Sequence, residues 1–240
     1  MPETLLSISG VHAGYGDVPV LWGVDIEIER GEIACLVGSN GAGKTTLMRA
    51  ISGLVRATAG SILFGGQELA LAEPDAVLAA GIAHVPEGRR LFSAMSIRDN
   101  LMMGAYLRSD GPAAIAADLE RMYAMFPILR ERQDQDAGTL SGGEQQMCAI
   151  ARGLMGAPRL LLIDELSLGL APATVDQLCD ALRKLNAEGL TLLVVEQDVA
   201  TALELARHAF VMDTGRITRS GESATLANDP AIREAYLGSL

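Results

Sequence analysis

The chain has 240 residues, enough for one substantial core or a core plus a small subdomain, and 49% of them are hydrophobic. Its formal net charge of −11 argues against a dedicated nucleic-acid binder, because phosphate backbones require clustered Lys and Arg; Arg89-Arg90 is a local basic exception. No apolar run approaches the roughly 18 residues that span a bilayer, and Met1-Pro2-Glu3-Thr4-Leu5 lacks the basic-then-apolar layout of a signal peptide.

In chain order, residues from about 5 to 35 alternate in a β-like manner, with Gly14-Tyr15-Gly16-Asp17 as a turn and Leu21–Ile28 as a half-buried strand. The spacing predicts a helix that begins after Lys44 and stops near Gly53, then a β segment from Gly60 to Phe64 ending at Gly65-Gly66. From about 93 to 156 the pattern is mostly helical. Ser96 with Asp99 resembles a capping arrangement, and Ser141 with Glu144 forms a capping box. Two short apolar runs follow, Leu160–Ile163 and Leu190–Val195, with a helical stretch between them. Such runs suggest parallel strands covered on both faces. Cys35, Cys148 and Cys179 are widely spaced in apolar surroundings, which suits reduced, buried thiols of a cytosolic protein and no metal site. The expectation is one α/β unit with a helical insertion, free of repeats and low-complexity linkers.

The stretch Gly38-Ser39-Asn40-Gly41-Ala42-Gly43-Lys44-Thr45-Thr46 fits the phosphate-binding pattern G-x-x-x-x-G-K-[ST]. It lies between the β-like run Ile33–Val37 and the helix-like run Leu47–Ile51, the context this pattern requires. Its glycines let successive backbone N–H groups point at a polyphosphate, and the helix N-terminus adds partial positive charge. Lys44 is expected to reach the β- and γ-phosphates of ATP and Thr45 to coordinate Mg²⁺. Downstream, Leu160–Ile163 runs into Asp164-Glu165. At the carboxyl end of a parallel strand, Asp164 is placed to hold Mg²⁺ through its water shell, and Glu165 to polarise the water that attacks the γ-phosphate. Alone, that pair also reads as a strand entering a solvated turn.

A second segment, Leu140-Ser141-Gly142-Gly143-Glu144-Gln145-Gln146, reads by itself as a capped helix start whose glycines expose backbone N–H groups to an anion. With the phosphate loop and the Asp-Glu strand, it makes the chain resemble the ATP-binding subunits of ABC transporters over nearly its whole length. The resemblance implies an α/β P-loop NTPase fold with a RecA-like core, an antiparallel β subdomain and a helical insertion subdomain. It implies one domain over 1–240, with the core and β subdomain in about 1–92 and 157–240 and the helical subdomain in about 93–156. It also implies a head-to-tail dimer in which Ser141, Gly142, Gly143 and Glu144 close over ATP on the partner's loop, and Tyr15 as the aromatic that stacks on adenine.

Three positions depart from the general family pattern. Glu87, in Val85-Pro86-Glu87-Gly88-Arg89-Arg90, replaces the usual glutamine that contacts Mg²⁺, and a carboxylate there binds a metal directly or through water. Gln197 stands at the usual switch histidine; its amide hydrogen-bonds a γ-phosphate or water but does not titrate near neutral pH. Leu166 replaces a proline, freeing a torsion beside Glu165, and Ala171 replaces an aspartate that helps couple the two sites of the dimer. Glu87, Gln197, Ser167–Pro172 and the ending Ala235-Tyr236-Leu237-Gly238 together resemble the LivF-type branch of branched-chain amino-acid importers, although Leu166 departs from that branch too. The resemblance implies an ATPase at the cytoplasmic face of the membrane. It would dock on transmembrane permease subunits and pair with a LivG-like cassette or a second copy. Indirectly it would serve a solute-binding protein. Relatives of the branch also move urea, short amides and other small polar solutes, and a soluble non-transport ATPase is a remoter alternative.

Overall fold

The computed structural model describes residues 3–234, so the ending Ala235–Gly238 lies outside the described residues. The alternating N-terminal stretch forms a hairpin of β1 (Thr4–Tyr15) and β2 (Val18–Glu29), turning at Gly16 with a left-handed φ of 57°. Along β2, Leu21, Val24, Ile26 and Ile28 are buried while Trp22, Asp25 and Glu27 face out, the period-2 pattern of a half-buried strand. After β3 (Ile33–Val37) and α1 (Lys44–Ile51), strand β4 (Ala57–Phe64) pairs with β1, and β5 (Gln67–Glu68) pairs with β4. The result is an antiparallel four-stranded sheet ordered β2-β1-β4-β5.

Helix α2 (Pro74–Ala79) leads into β6 (Ile82–Val85), and neither stands out in the sequence pattern. Four helices follow without a named strand among them: α3 (Ile97–Gly104), α4 (Pro112–Met125), α5 (Pro127–Glu131) and α6 (Gly142–Leu154). Both expected caps are present. Ser96 Oγ accepts from Asp99 N at 3.0 Å; Ser141 Oγ accepts from Glu144 N at 3.4 Å while Ser141 N donates to Glu144 Oε2 at 2.8 Å. Then come β7 (Leu160–Asp164), α7 (Pro172–Ala187), β8 (Thr191–Glu196), α8 (Val199–Leu205), β9 (His208–Asp213), β10 (Arg216–Glu222) and the short α9 (Ser223–Leu226) and α10 (Pro230–Ile232).

The second sheet is ordered β10-β9-β3-β8-β7-β6, all parallel except the antiparallel edge strand β10. Every residue of β3, β7 and β8 is buried, which explains their continuous apolar runs. Their alternate side chains feed two cores. Ile33, Cys35 and Val37 join the apolar residues of α3 to α8, whereas Ala34 and Leu36 join α1 and the antiparallel sheet. The three cysteines are free and buried, and burial pushes the Cys35 and Cys148 thiols up to about 12. Among the described residues, no helix is long and apolar enough to cross a membrane.

Two contacts hold the helical part together. Asn100, fully buried, accepts from Phe92 N and donates to the carbonyls of Phe92, Met95 and Ser96. At Gly104, α3 approaches α6 so closely that a Cβ would stand 1.9 Å from the Arg152 carbonyl oxygen. We expect Gly104→Ala to push the two helices apart and cost about 1–3 kcal/mol, the range for overpacking. Urea unfolding checks this, and an unchanged midpoint would mean that the helices separate freely.

Candidate active site

The parallel sheet determines which residues meet. Strand pairing sets Val37 beside Glu196, Asp164 beside Val195, and Val85 beside Ile163. The segments leaving the carboxyl ends of these strands therefore emerge along one edge: Gly38 onward, Glu165, Gln197 and Glu87. There, Asn40, Gly41, Gly43, Lys44, Thr45, Thr46, Glu87, Glu165 and Gln197, together with Val20, line one cavity of about 430 Å³. Of the other sequence-proposed residues, Gly38 and Ala42 are buried in the loop's base, Ser39 is exposed on the loop, and Asp164 lies buried behind the lining.

The loop is held by backbone. Gly38 passes so close to β9 that a Cβ would lie 2.1 Å from the Met212 carbonyl oxygen, so only glycine fits. Ala42 accepts from Gly215 N at 2.8 Å and donates to Ser39 O at 3.1 Å. Gly43 begins α1 with a left-handed φ of 108° and no side-chain cap, so the first amides of the helix keep their capacity for an anion. Lys44 folds back over the loop and donates to Gly38 O at 2.7 Å and Ser39 O at 3.1 Å.

Asp164 is 1% exposed, and neither carboxylate oxygen has a hydrogen-bond partner. Burial pushes it up to about 6. The Thr45 hydroxyl opposes that rise, the Glu165 and Glu87 charges add to it, and Lys44 pulls the other way. A buried carboxyl group without partners, facing a hydroxyl and a second acid, fits a divalent cation better than it fits an empty core. Among the described residues no three His, Cys, Asp or Glu side chains form a cluster able to chelate alone. The donor set thus suits Mg²⁺, which typically takes one or two carboxylates and completes its shell with phosphate oxygens and water.

Glu165 has a φ of 60°, a left-handed conformation that costs a non-glycine residue about 1–3 kcal/mol. Its N–H donates to Val195 O at 3.0 Å, and the next residue, Leu166, is wholly buried in the core. The torsion freed by losing a proline at 166 is thus restrained by packing. Tyr15 does not line the cavity. The residue is 44% exposed, and its hydroxyl accepts from Arg49 Nη1 at 2.9 Å.

Ser141, Gly142, Gly143 and Glu144 line a different cavity of about 650 Å³, which shares no residue with the first. Glu144 is engaged by the capping box and by Arg132 at 3.4 Å.

Two further contacts escaped sequence reasoning. Glu196, 1% exposed, accepts from Ser167 N at 2.7 Å, Ser167 Oγ at 2.8 Å and Gln197 N at 3.3 Å. It ties the segment after Glu165 to the segment carrying Gln197. Burial raises its pKa, and the Ser167 and Gln197 bonds only partly offset that. An acid ending an apolar run was the available signal. The second is Arg152 on α6, which donates to the carbonyls of Arg89 at 3.0 Å and Arg90 at 2.8 Å, two residues held at left-handed φ.

The fold and site define a phosphate-loop nucleotide-binding protein of the parallel α/β type. The family model described as ABC transporter matches residues 21–167. The chain is 43% identical to the high-affinity branched-chain amino acid transport ATP-binding protein BraG of Pseudomonas aeruginosa, covering 98% of this chain and all of that one. It is 33% identical to the probable branched-chain amino acid transport ATP-binding protein LivF of Archaeoglobus fulgidus, over 95% and 96% of the two chains. A crystal structure of a nucleotide-free ATP-binding cassette from an ABC transporter superposes with a TM-score of 0.87 at 25% identity, covering 98% and 100%. The chain belongs to the ATP-binding subunits of ABC transporters and is an ATPase of that family.

Removing the Ser167 hydroxyl leaves a buried carboxylate one donor short. Ser167→Ala is therefore expected to lower stability by about 1–3 kcal/mol. An unshifted chemical-denaturation midpoint would show that Glu196 does not depend on this bond.

Proposed function

We propose that the chain is the energy-coupling ATPase of an importer for branched-chain amino acids, bound to the inner face of the cell membrane. The observation that carries this reading is the convergence of the phosphate loop, Glu87, Glu165 and Gln197 on one cavity, in a chain 43% identical to BraG over its full length. Urea, short amides and other small polar solutes are the alternative cargo. Uptake assays on the chain in its native membrane complex separate them.

In this reading the N–H groups of residues 39–45 and the Lys44 ammonium bind the β- and γ-phosphates of ATP. Thr45, Asp164 and Glu87 hold Mg²⁺, directly or through water, and the ion when bound neutralises charge on the two phosphates. Glu165 takes a proton from the water that attacks the γ-phosphate, and its left-handed backbone fixes the carboxylate's approach. The Gln197 amide hydrogen-bonds that water or the γ-phosphate. Ser141–Glu144, facing its own cavity, closes over the nucleotide of a second cassette, either another copy or a LivG-like partner.

Permease subunits receive the resulting motion. Their docking place is the groove of about 400 Å³ beside the Glu87–Phe92 segment, with Leu54, Leu78, Phe92 and Met103 among its lining. Leu54, Phe92 and Met103 are large, exposed apolar residues, which suits an apolar helix face.

Glu165→Gln is expected to bind MgATP, accumulate as a closed dimer and lose at least about 100-fold in turnover. Turnover at the wild-type rate would refute the assignment of the base. Because glutamine does not titrate, wild-type activity carries no acid limb from position 197. Gln197→His introduces one as pH falls through about 6.5, where the imidazole gains a proton and ceases to accept. An unchanged pH profile in Gln197→His would contradict the Gln197 contact.

A further inference from the structure

The hairpin tip that carries Tyr15 is bonded to α1, the helix that opens at the phosphate loop. Lys44 and Thr45 open α1, and Arg49, five positions later, stands roughly 7–8 Å further along its axis. Arg49 Nη1 donates to the Tyr15 hydroxyl at 2.9 Å, and the Thr46 hydroxyl donates to the same oxygen at 3.4 Å. The Arg49 guanidinium carbon lies 6.0 Å from the ring centroid, at the outer limit of cation–π attraction, so the hydrogen bond is the stronger hold. Tyr15 otherwise sits at the tip of a hairpin, between exposed Gly16 and half-buried Gly14, and is 44% exposed. Without Arg49 it lacks its short hydrogen bond to α1.

We propose that Arg49 is a positioning residue for nucleotide recognition: by holding the Tyr15 hydroxyl, it sets the ring at a fixed distance from the phosphate loop, so that the ring face receives a purine base. The inference rests on the nucleotide reading above and on Tyr15 as the stacking aromatic. Its chemical content is a division of labour along one helix. The first turn meets charge, the second holds an aromatic face, and an aromatic face accepts any purine by stacking rather than by reading its edge. The affected ligands are therefore purine nucleoside triphosphates as a class, and a triphosphate without a base is indifferent to Arg49.

The test measures steady-state hydrolysis of MgATP and MgGTP, with magnesium tripolyphosphate as a competitive inhibitor. Arg49→Met is expected to raise KM for both nucleotides by about three- to ten-fold with kcat unchanged, the yield of one hydrogen bond of ordinary net strength between exposed groups. The inhibition constant of tripolyphosphate stays unchanged, and Arg49→Lys, which still donates, restores most of the lost affinity. In a Tyr15→Phe background, where the acceptor is gone, Arg49→Met adds less than about two-fold. An unchanged KM in Arg49→Met, an equal loss for tripolyphosphate, or full additivity with Tyr15→Phe would each overturn the proposal. Tyr15→Ala separates the two levels. If it weakens MgATP while Arg49→Met does nothing, Arg49 alone is misassigned; if it too does nothing, the stacking platform is wrong.

Discussion

The structure depends on one constraint, the passage of the chain from β3 into α1 with no room for a side chain at Gly38. Gly38 lies against the Met212 carbonyl, and Gly215, on the turn beyond β9, donates to Ala42 and would drive a Cβ to 1.9 Å from Val20 O. Strand β9 and the turn beyond it, with the start of β2, thus clamp the loop from outside while Lys44 bonds its carbonyls from within. A loop braced in this way spends little binding energy on ordering itself when it takes up a ligand.

From that clamp the rest of the site follows by strand register. Parallel pairing delivers Asp164 beside Val195 and Val37 beside Glu196, so the acidic and amide groups collect where the loop already lies. The arrangement concentrates cost in a small volume. Asp164 is buried without partners, Glu165 carries a left-handed backbone, and Glu196 is a buried carboxylate satisfied by Ser167 and the Gln197 N–H. Such features persist where the surrounding core over-determines them, and here the fully buried strands β3, β7 and β8 supply that rigidity. Arg152 extends the same logic outward. It fixes two strained residues of the Glu87 loop from the helix that begins at Ser141, linking the two cavities through one rigid element.

Much of this was legible in the sequence because the signals were local. A glycine-rich loop between an apolar run and a helix, the Ser96 cap and the Ser141 capping box, and the run Leu160–Ile163 ending in Asp164 are each decided within about ten residues. Strands β6, β9 and β10 were not legible: β6 shows only four residues of pattern, β9 pairs in parallel with β3 far up the chain, and β10 is a mostly exposed edge strand held by its hairpin to β9. The Glu196–Ser167 and Arg152–Arg89 contacts span 29 and 63 positions, so even where an acid closing an apolar run marks Glu196, its partner is not written in the same segment. Tyr15 was singled out by resemblance, yet its bond to Arg49 needs the hairpin to fold over α1 first. Leu166 stood out as a missing proline, and its reason is spatial: it is a core residue.

In the proposed function the loop from Gly38 to Thr46 grips a nucleoside triphosphate through Lys44 and the backbone. The most direct measurement is calorimetric titration of the purified chain with MgATP, wild type against Lys44→Ala. Saturable binding by the wild type and at least about ten-fold weaker binding by the variant are expected, the loss of one charge-assisted contact. Equal affinity in the two proteins would contradict this reading.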